Sequence, residues 1–460
     1  MVHSEGLEEE AIWVLASTCW IACWWITEAV PIPITSLMPL ILFPLSEAVG
    51  IKPTAQAYIS PILFIFIGGF ILALALEKWN LHRRIALNII ASVGTQPRKI
   101  ILGFMLASAF LSMWISNTAT TLMMIPIALA IVQQMEMLTE SQFGKTEFAT
   151  VIILCIAYSA SIGGIATLVG TPTNLIFTGF VEDTYGEAIA FDDWIVYGLP
   201  ISLLVLVFGW LYLTYGIFRF GKTNGKVGKT VIRDQLTKLG PMSWEEKKVL
   251  IIFGSVALGW MTQRYLLAPW LPGIHDAIIA LIGVVLLFIL PGKNQGETLM
   301  DWKTASKLPW GIILLFGGAF ALSKGFETTG LTKWMAEQFE LLAGAPLWLI
   351  LLLLIVFVNF LTEITMNMAT CTLMMPVLAA LGPALGIHPY GLMASTCVAA
   401  SCAFMLPFAT APNAIAFGTE RIKMREMIRA GFGLNLMSIA IIWTITYFFL
   451  DINPTLFGNS

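Results

Sequence analysis

Charge is what this chain has least of. Only 12 % of its 460 residues are Asp, Glu, Lys or Arg, where a soluble globular chain carries roughly 25 %. Histidine is nearly absent: His3, His82, His275 and His388 lie far apart and give no metal-ligand spacing. Cysteine is sparse and unpatterned. Cys19, Cys23, Cys155, Cys371, Cys397 and Cys402 all sit in apolar runs. Cys19 and Cys23 are spaced i, i+4, so all six are read as small buried hydrophobes and not as a disulfide or metal framework. No basic patch is dense enough for nucleic acid. The acidic start (Glu5, Glu8, Glu9, Glu10) lacks the Lys or Arg of a cleavable signal peptide. An intramembrane enzyme ranks last, since the few histidines supply no nucleophile–base pair or metal cluster at depth, and no enzyme activity, catalytic residues or cofactors are expected.

What remains is oil: 58 % hydrophobic residues and a mean hydropathy of +0.83. Apolar stretches near twenty residues recur from end to end, without the short alternation of a barrel, so the expected fold is an all-α, multi-pass membrane protein. Ten full spans are predicted, at 11–29, 34–49, 58–77, 148–180, 192–216, 248–267, 274–290, 309–326, 390–418 and 431–450. Two further apolar segments, 103–130 and 347–380, are too long for one ordinary helix and carry polar residues near their middles. Each is read as a re-entrant hairpin.

Charge supports that reading. With the hairpins counted as non-crossing, segments 78–102, 131–147, 217–248, 291–308 and 419–430 share one side and hold 21 of the 25 Lys and Arg. Lys52, Arg264, Lys324 and Lys333 are the exceptions. The positive-inside rule then puts both termini outside a plasma or inner membrane. Segment 219–247 reads as a solvated cytoplasmic linker. The basic, amphipathic stretch 79–99 is expected at the cytoplasmic interface and its counterpart 331–344 at the outer one. Trp24, Trp25, Trp260, Trp270 and Trp310 suit interfacial belts.

The two hairpins match. The first reads WISNTATTLMMIPIALA from Trp114, the second TEITMNMATCTLMMPVLAA from Thr362. Gly68, Phe70, Leu72, Glu77 and Leu81 align with Gly318, Phe320, Leu322, Glu327 and Leu331, all offset by 250. Asn117, Ala119 and Thr120 align with Asn367, Ala369 and Thr370 at the same offset. Cys371 is an insertion in the second copy. GTPTN at 170–174 matches ATAPN at 409–413, offset by 239. The domains follow: a first repeat, 1–218, with five spans and a cytoplasmic-side hairpin, and a second, 248–460, with five spans and an outer-side hairpin. Five spans per half invert the second half, the pattern of a transporter whose site lies where broken helices meet at mid-membrane.

The polar residues suit ions. Pro172 and Gly170 favour a break in the span after the first hairpin. Helix N-termini and hydroxyls suit an anion, while helix C-termini, Asn oxygens and carbonyls suit Na⁺. Neither hairpin core holds Asp, Glu, Lys or Arg, which favours Na⁺ over H⁺ as coupling ion. Glu28 and Glu363 keep protons open, and Glu363 also reads as a structural carboxylate.

These pieces resemble the divalent anion/sodium symporter family, the sodium–dicarboxylate and citrate carriers. The matching stretches are WWITEAVPIPITSLMPL (24–40), GGFILALALEKWNLHRRIAL (68–87), GFMLASAFLSMWISNTATT (103–121), LTEITMNMAT (361–370) and FMLPFATAPNAIAFG (404–418). The resemblance implies one Na⁺ site on Ser112, Ser116, Asn117 and the backbone near Gly170, and a second on Thr362, Thr365, Asn367 and the backbone near Ala409. It implies substrate contacts from Ser116, Asn117, Thr118, Thr171, Asn367, Met368 and Thr410. It implies a homodimer in the lipid bilayer that moves its hairpins and broken spans, in elevator fashion, against a scaffold of 34–77 and 274–326. The expected activity is sodium-coupled transport of a di- or tricarboxylate, succinate-like first. A dicarboxylate exchanger or sulfate carrier is the alternative, and an anion channel ranks below both. Two departures stand out. The second tip reads Met366-Asn367-Met368 where the family often has SNT or SNV, and one apolar run, 11–29, leads into the WWITEAVP region where the family commonly has an extra helix.

Overall fold

The computed structural model describes residues 7–94, 96–138, 145–218, 226–293, 296–339 and 344–452. Among them regular structure is helical, apart from one isolated bridge between Pro291 and Thr298. The first half opens with α1 (Glu9–Thr27), α2 (Ile32–Thr35), α3 (Pro39–Leu45) and α4 (Ile51–Gln56). It continues through α5 (Ile62–Lys78), α6 (Leu81–Val93), α7 (Pro97–Ser112) and α8 (Asn117–Leu138), then α9 (Lys145–Gly164), α10 (Pro172–Tyr185) and α11 (Phe191–Leu211). A linker helix α12 (Lys226–Leu239) leads to α13 (Trp244–Thr262), α14 (Asp276–Ile289), α15 (Trp302–Ala305), α16 (Trp310–Thr328) and α17 (Leu331–Phe339). The chain ends through α18 (Leu347–Ile364), α19 (Asn367–Ala384), α20 (Tyr390–Ser401), α21 (Ala411–Phe417) and α22 (Met424–Ile452).

Eight helices among the described residues are long and apolar enough to cross a membrane, against ten expected spans. The difference lies in breaks. Span 34–49 is divided between α2, α3 and irregular turns, and 274–290 is the short helix α14. Span 58–77 runs as α5 and then bends by 74° into α6, at Asn80, whose φ is +54°. Span 390–418 is interrupted between α20 and α21. In the other direction, both arms of the 347–380 segment are 18-residue helices that pass the length test. The 103–130 segment likewise divides into α7 and α8, whose arms reach beyond those bounds.

The core is built around α9, which is almost wholly buried and is packed by α7, α8, α11 and α21. A helix apolar on every face belongs in such a place. Small residues let it approach its neighbours. A Cβ on Gly163 would meet the Ala109 carbonyl oxygen at 2.2 Å, so α7 and α9 are in backbone contact, as small residues permit in membranes. Two of the five tryptophans assigned to belts, Trp25 and Trp260, are instead fully buried. Each indole N–H finds a partner, Ser36 Oγ for Trp25 and the Asp276 carbonyl for Trp260, so they act as core residues with a satisfied polar end. Four cysteines are buried as expected, but Cys19 and Cys23 are exposed on α1.

The described part of the linker is docked and not merely solvated. Residues 219–225 lie outside the described residues. The helix α12 packs on α6 and α8. Arg83 donates to Gln235 Oε1 (2.6 Å), and Arg84 grips Glu246 with Nε and Nη2 (3.0 and 3.1 Å) and the Gly240 carbonyl with Nη1 (2.9 Å). Glu246 completes a capping box with Ser243 at the start of α13. Both members of the pair are largely buried, and removing one strands the other, a loss of about 3 kcal/mol or more. Arg84→Ala should therefore lower the melting temperature of the purified protein, with Arg84→Lys intermediate because an ammonium cannot keep the fork. An Arg84→Ala melting curve that overlays the parent would show the docking to be incidental. At the same end Lys78 Nζ lies 2.7 Å from Asp301 and Trp79 donates to the Leu299 carbonyl. The Lys78 hydrogen bond holds the Asp301 carboxyl down at about 2.

Candidate functional site

Each polar segment breaks its helix in a definite place. α7 stops at Ser112, and α8 restarts at Asn117, where Ser116 Oγ accepts from the Ala119 N–H (3.2 Å). α18 stops at Ile364 and α19 restarts at Asn367. α9 stops at Gly164 and α10 restarts at Pro172. α20 stops at Ser401 and α21 restarts at Ala411, with Thr410 Oγ1 accepting from the Asn413 N–H (3.3 Å). Proline at the first or second helical position suits both later restarts, since its missing N–H is an orphan there in any case.

The sequence repeat is also a hydrogen-bond repeat. Ser112 Oγ donates to Asn117 Oδ1 (2.5 Å), and Thr362 Oγ1 donates to Asn367 Oδ1 (2.8 Å). Asn174 Nδ2 donates to the Gly164 and Thr167 carbonyls (3.1 and 2.7 Å), and Asn413 Nδ2 donates to the Ala403 and Leu406 carbonyls (3.0 and 3.1 Å). The two later breaks are thus stitched by an asparagine in the first turn of the next helix, whose amide N–H groups satisfy carbonyls freed by unwinding, while at the two tips the asparagine oxygen takes a hydroxyl from the helix before. The halves differ in detail. Thr365 and Thr370 share a hydrogen bond (2.5 Å), whereas Thr120 Oγ1 has no partner among the described residues because Ile115 stands where the second copy has Thr365.

Glu363 holds the second break. Its carboxylate accepts from the N–H groups of Phe404 (2.7 Å), Met405 (2.9 Å) and Leu406 (3.1 Å) and from Asn435 Nδ2 (2.7 Å). Of the two readings left open by the sequence, the geometry gives the structural carboxylate. In the first half a neutral contact substitutes, the Thr167 hydroxyl to the Met113 carbonyl.

Both tips and both breaks meet at one cavity of about 260 Å³. All seven residues expected to contact substrate line it: Ser116, Asn117, Thr118, Thr171, Asn367, Met368 and Thr410. Of the cation set, Ser116, Asn117, Gly170, Asn367 and Ala409 line it as well, while Ser112 and Thr362 stand behind the two asparagines. Thr365 is set aside from the cavity on Thr370 and the Leu361 carbonyl. Phe70 and Ile312 close the cavity from α5 and α16, and Glu28 is the charged residue among its lining.

Four helices begin at this cavity, with Ser116, Thr171, Met366 and Thr410 just before α8, α10, α19 and α21. Their partial positive ends converge where no Lys or Arg side chain lines the wall. Beside them, oxygen atoms crowd. A Cβ on Gly164 would lie 2.8 Å from Asn117 Oδ1 and 3.0 Å from the Gly170 carbonyl oxygen. A Cβ on Gly170 would lie 2.5 Å from the Gly164 carbonyl oxygen. Gly164 therefore belongs to this cluster. The sequence reading missed it, although the Gly-Gly pair closing α9 just ahead of GTPTN was the available signal. In the second half the same positions are Ala403 and Ala409.

A family model described as the sodium:sulfate symporter transmembrane region matches residues 1–452. The chain is 43 % identical over 458 residues to the sodium-dependent dicarboxylate transporter SdcS of Staphylococcus saprophyticus, covering 97 % of this chain and 88 % of that one. It is 44 % identical over 457 residues to SdcS of Staphylococcus aureus, with coverage of 98 % and 88 %. Among solved structures it resembles the YdaH transporter of Alcanivorax borkumensis (TM-score 0.60, 15 % identity, 89 % and 88 % covered). It also resembles MtrF of Neisseria gonorrhoeae (TM-score 0.62, 11 % identity, 97 % and 96 % covered). Those two likenesses concern the fold alone.

Proposed function

The chain belongs to the sodium:sulfate symporter transmembrane family, and from that premise we propose that it carries a dicarboxylate across the membrane together with sodium ions. It is a transporter and not an enzyme. The observation that carries the reading is the convergence of four helix starts on one cavity whose donors are neutral. Dipoles and hydroxyls can hold a dianion there without a lysine or arginine that would keep it bound too tightly to leave. Sodium would sit behind, at Ser112, Ser116, Asn117 and Gly170 on one side, and at Thr362, Thr365, Asn367 and Ala409 on the other. The paired Asn oxygens and the close Gly164 and Gly170 carbonyls support that placement.

The finer reading has the two tips as re-entrant hairpins of an inverted repeat, 1–218 and 248–460, with both termini outside. The tips and breaks would travel as one body against the scaffold of 34–77 and 274–326 in a homodimer within the bilayer. Succinate-like C4 substrates fit first. Hydroxyls flank Asn117 at Ser116 and Thr118, while thioethers flank Asn367 at Met366 and Met368. The carboxylate contacts would thus gather on the first tip. Thr118→Val should raise the half-saturating succinate concentration several-fold and leave the sodium half-saturation within twofold. Equal shifts in both would remove Thr118 from the substrate side.

The deciding experiment is uptake of labelled succinate into proteoliposomes, with and without an inward Na⁺ gradient, at fixed pH and without internal substrate. Gradient-driven accumulation is expected, with competition by malate, citrate and sulfate ranking the substrates. Uptake only after preloading with dicarboxylate would mean exchange.

A further inference from the structure

A second polar cavity lies away from the tips. α5 and α14 run side by side, with Gly68 against Ala280. Their C-terminal ends meet the Lys78–Asp301 pair and the Trp79–Leu299 contact. Their N-terminal ends enclose, with α10 and the turn after it, a cavity of about 160 Å³ at the opposite end of the bundle. Ile62, Thr178, Glu182, Gln263, His275 and Asp276 line it.

Charge there is unbalanced. Asp276 is 6 % exposed. Its Oδ2 accepts from the Phe191 N–H (3.2 Å), but its Oδ1 is buried and has no partner among the described residues. Asp192 Oδ1, beside Phe191, is in the same state. A buried carboxylate oxygen left unpaired is costly. The nearby side-chain cations are already paired. Arg264 pairs with Asp193 (3.2 Å) and Lys324 with Glu327 (2.9 Å). His275 Nδ1 accepts from the Ala277 N–H (3.2 Å), so the ring is neutral with its proton on Nε2, 3.9 Å from Glu182 Oε1. Neutral oxygens stand ready: Gln263 gives Nε2 to the Ile274 carbonyl (2.9 Å), keeping its amide oxygen as an acceptor, and the Thr178 hydroxyl lines the wall.

We propose that this cavity binds a sodium-sized monovalent cation, with the Asp276 carboxylate as its anionic ligand and oxygens of Gln263, Thr178 and Glu182, which line the same cavity, beside it. The site is separate from the two cation positions at the tips and does not depend on them. Glu182 belongs to α10, which continues from the first break, whereas Asp276 belongs to α14. On the reading that these two elements move relative to each other, a cation between them is retained only in one register and so favours it.

The test is the melting temperature of the purified full-length protein without substrate. NaCl is titrated against choline chloride at constant ionic strength, with KCl as a second control, for the parent, Asp276→Asn and Asn117→Ala. Asp276→Asn keeps an acceptor for the Phe191 N–H. It should shift the sodium midpoint upward about tenfold or remove that phase. Asn117→Ala should retain the Asp276-dependent phase while losing sodium-driven uptake, so failure of the tip assignment and failure of this site are told apart. If Asp276→Asn does not fold, Glu182→Gln replaces it, with a several-fold upward shift expected. A sodium titration of the folded variant that superimposes on the parent's overturns the proposal. So does an unchanged sodium response with an altered pH dependence, which would make the cavity a proton site.

Discussion

Asn117→Ala and Asn367→Ala should each abolish sodium-driven uptake while the protein still folds. Each side chain opens a helix at a tip, and each Oδ1 is already met by one hydroxyl, Ser112 at 2.5 Å or Thr362 at 2.8 Å. The substitution removes one hydrogen bond and little apolar packing, and alanine is a good helix former at the start of α8 or α19. Folding should therefore suffer by only about 1 kcal/mol. A cation loses much more, because the neighbouring Ser112 or Thr362 hydroxyl already belongs to the same oxygen set. Loss of a charge-assisted contact costs about 1.5–3 kcal/mol, or on the order of ten- to a hundredfold in sodium affinity at each site. Since coupled uptake needs every ion bound, transport falls with the weaker site. Sodium titration of uptake, beside gel filtration of the same preparations, measures both halves of the statement. Ordinary sodium half-saturation in both variants would remove the asparagines from the cation sites.

Much of this arrangement was legible because the repeat extends from letters to bonds. The 250-residue offset that aligns Asn117 with Asn367 also aligns Ser112 with Thr362, and the bonded pairs coincide. The 239-residue offset that aligns Asn174 with Asn413 carries their carbonyl partners with it. What the sequence hid were features with no mate. Arg84 and Glu246 join α6 to the linker across 162 residues, and neither repeat register contains that pairing. Trp25 and Trp260 looked like belt residues because tryptophan at the end of an apolar run does so by default. Only the positions of Ser36 and of the Asp276 carbonyl show that their N–H groups are satisfied in the core. Gly164 escaped notice because the glycine pair falls before the GTPTN motif and not within it. Its role is the contact a side chain would destroy, which no letter records.

Glu363 is the residue for which sequence left two opposite roles, and its replacement should have the largest effect on folding. Four donors end on this carboxylate: three consecutive backbone N–H groups of the unwound segment after α20, and the Asn435 amide of α22. Glu363→Ala strands all four in a largely buried place. If only two of them go unsatisfied at about 2 kcal/mol each, the loss is about 4 kcal/mol, enough to depopulate many folded proteins. Glu363→Gln retains one acceptor oxygen but turns an NH₂ toward N–H groups, so part of the cost remains. The expected result is little folded Glu363→Ala and a reduced yield of Glu363→Gln. The surviving Glu363→Gln should show the parent's sodium dependence and the parent's pH profile of uptake. A proton relay predicts the reverse, since glutamine cannot exchange a proton: a stable Glu363→Gln variant whose uptake no longer varies with pH. The four inward-pointing donors argue for the first outcome, because a relay carboxylate must give up its charge during the cycle and this one would then leave three backbone N–H groups facing a neutral acid.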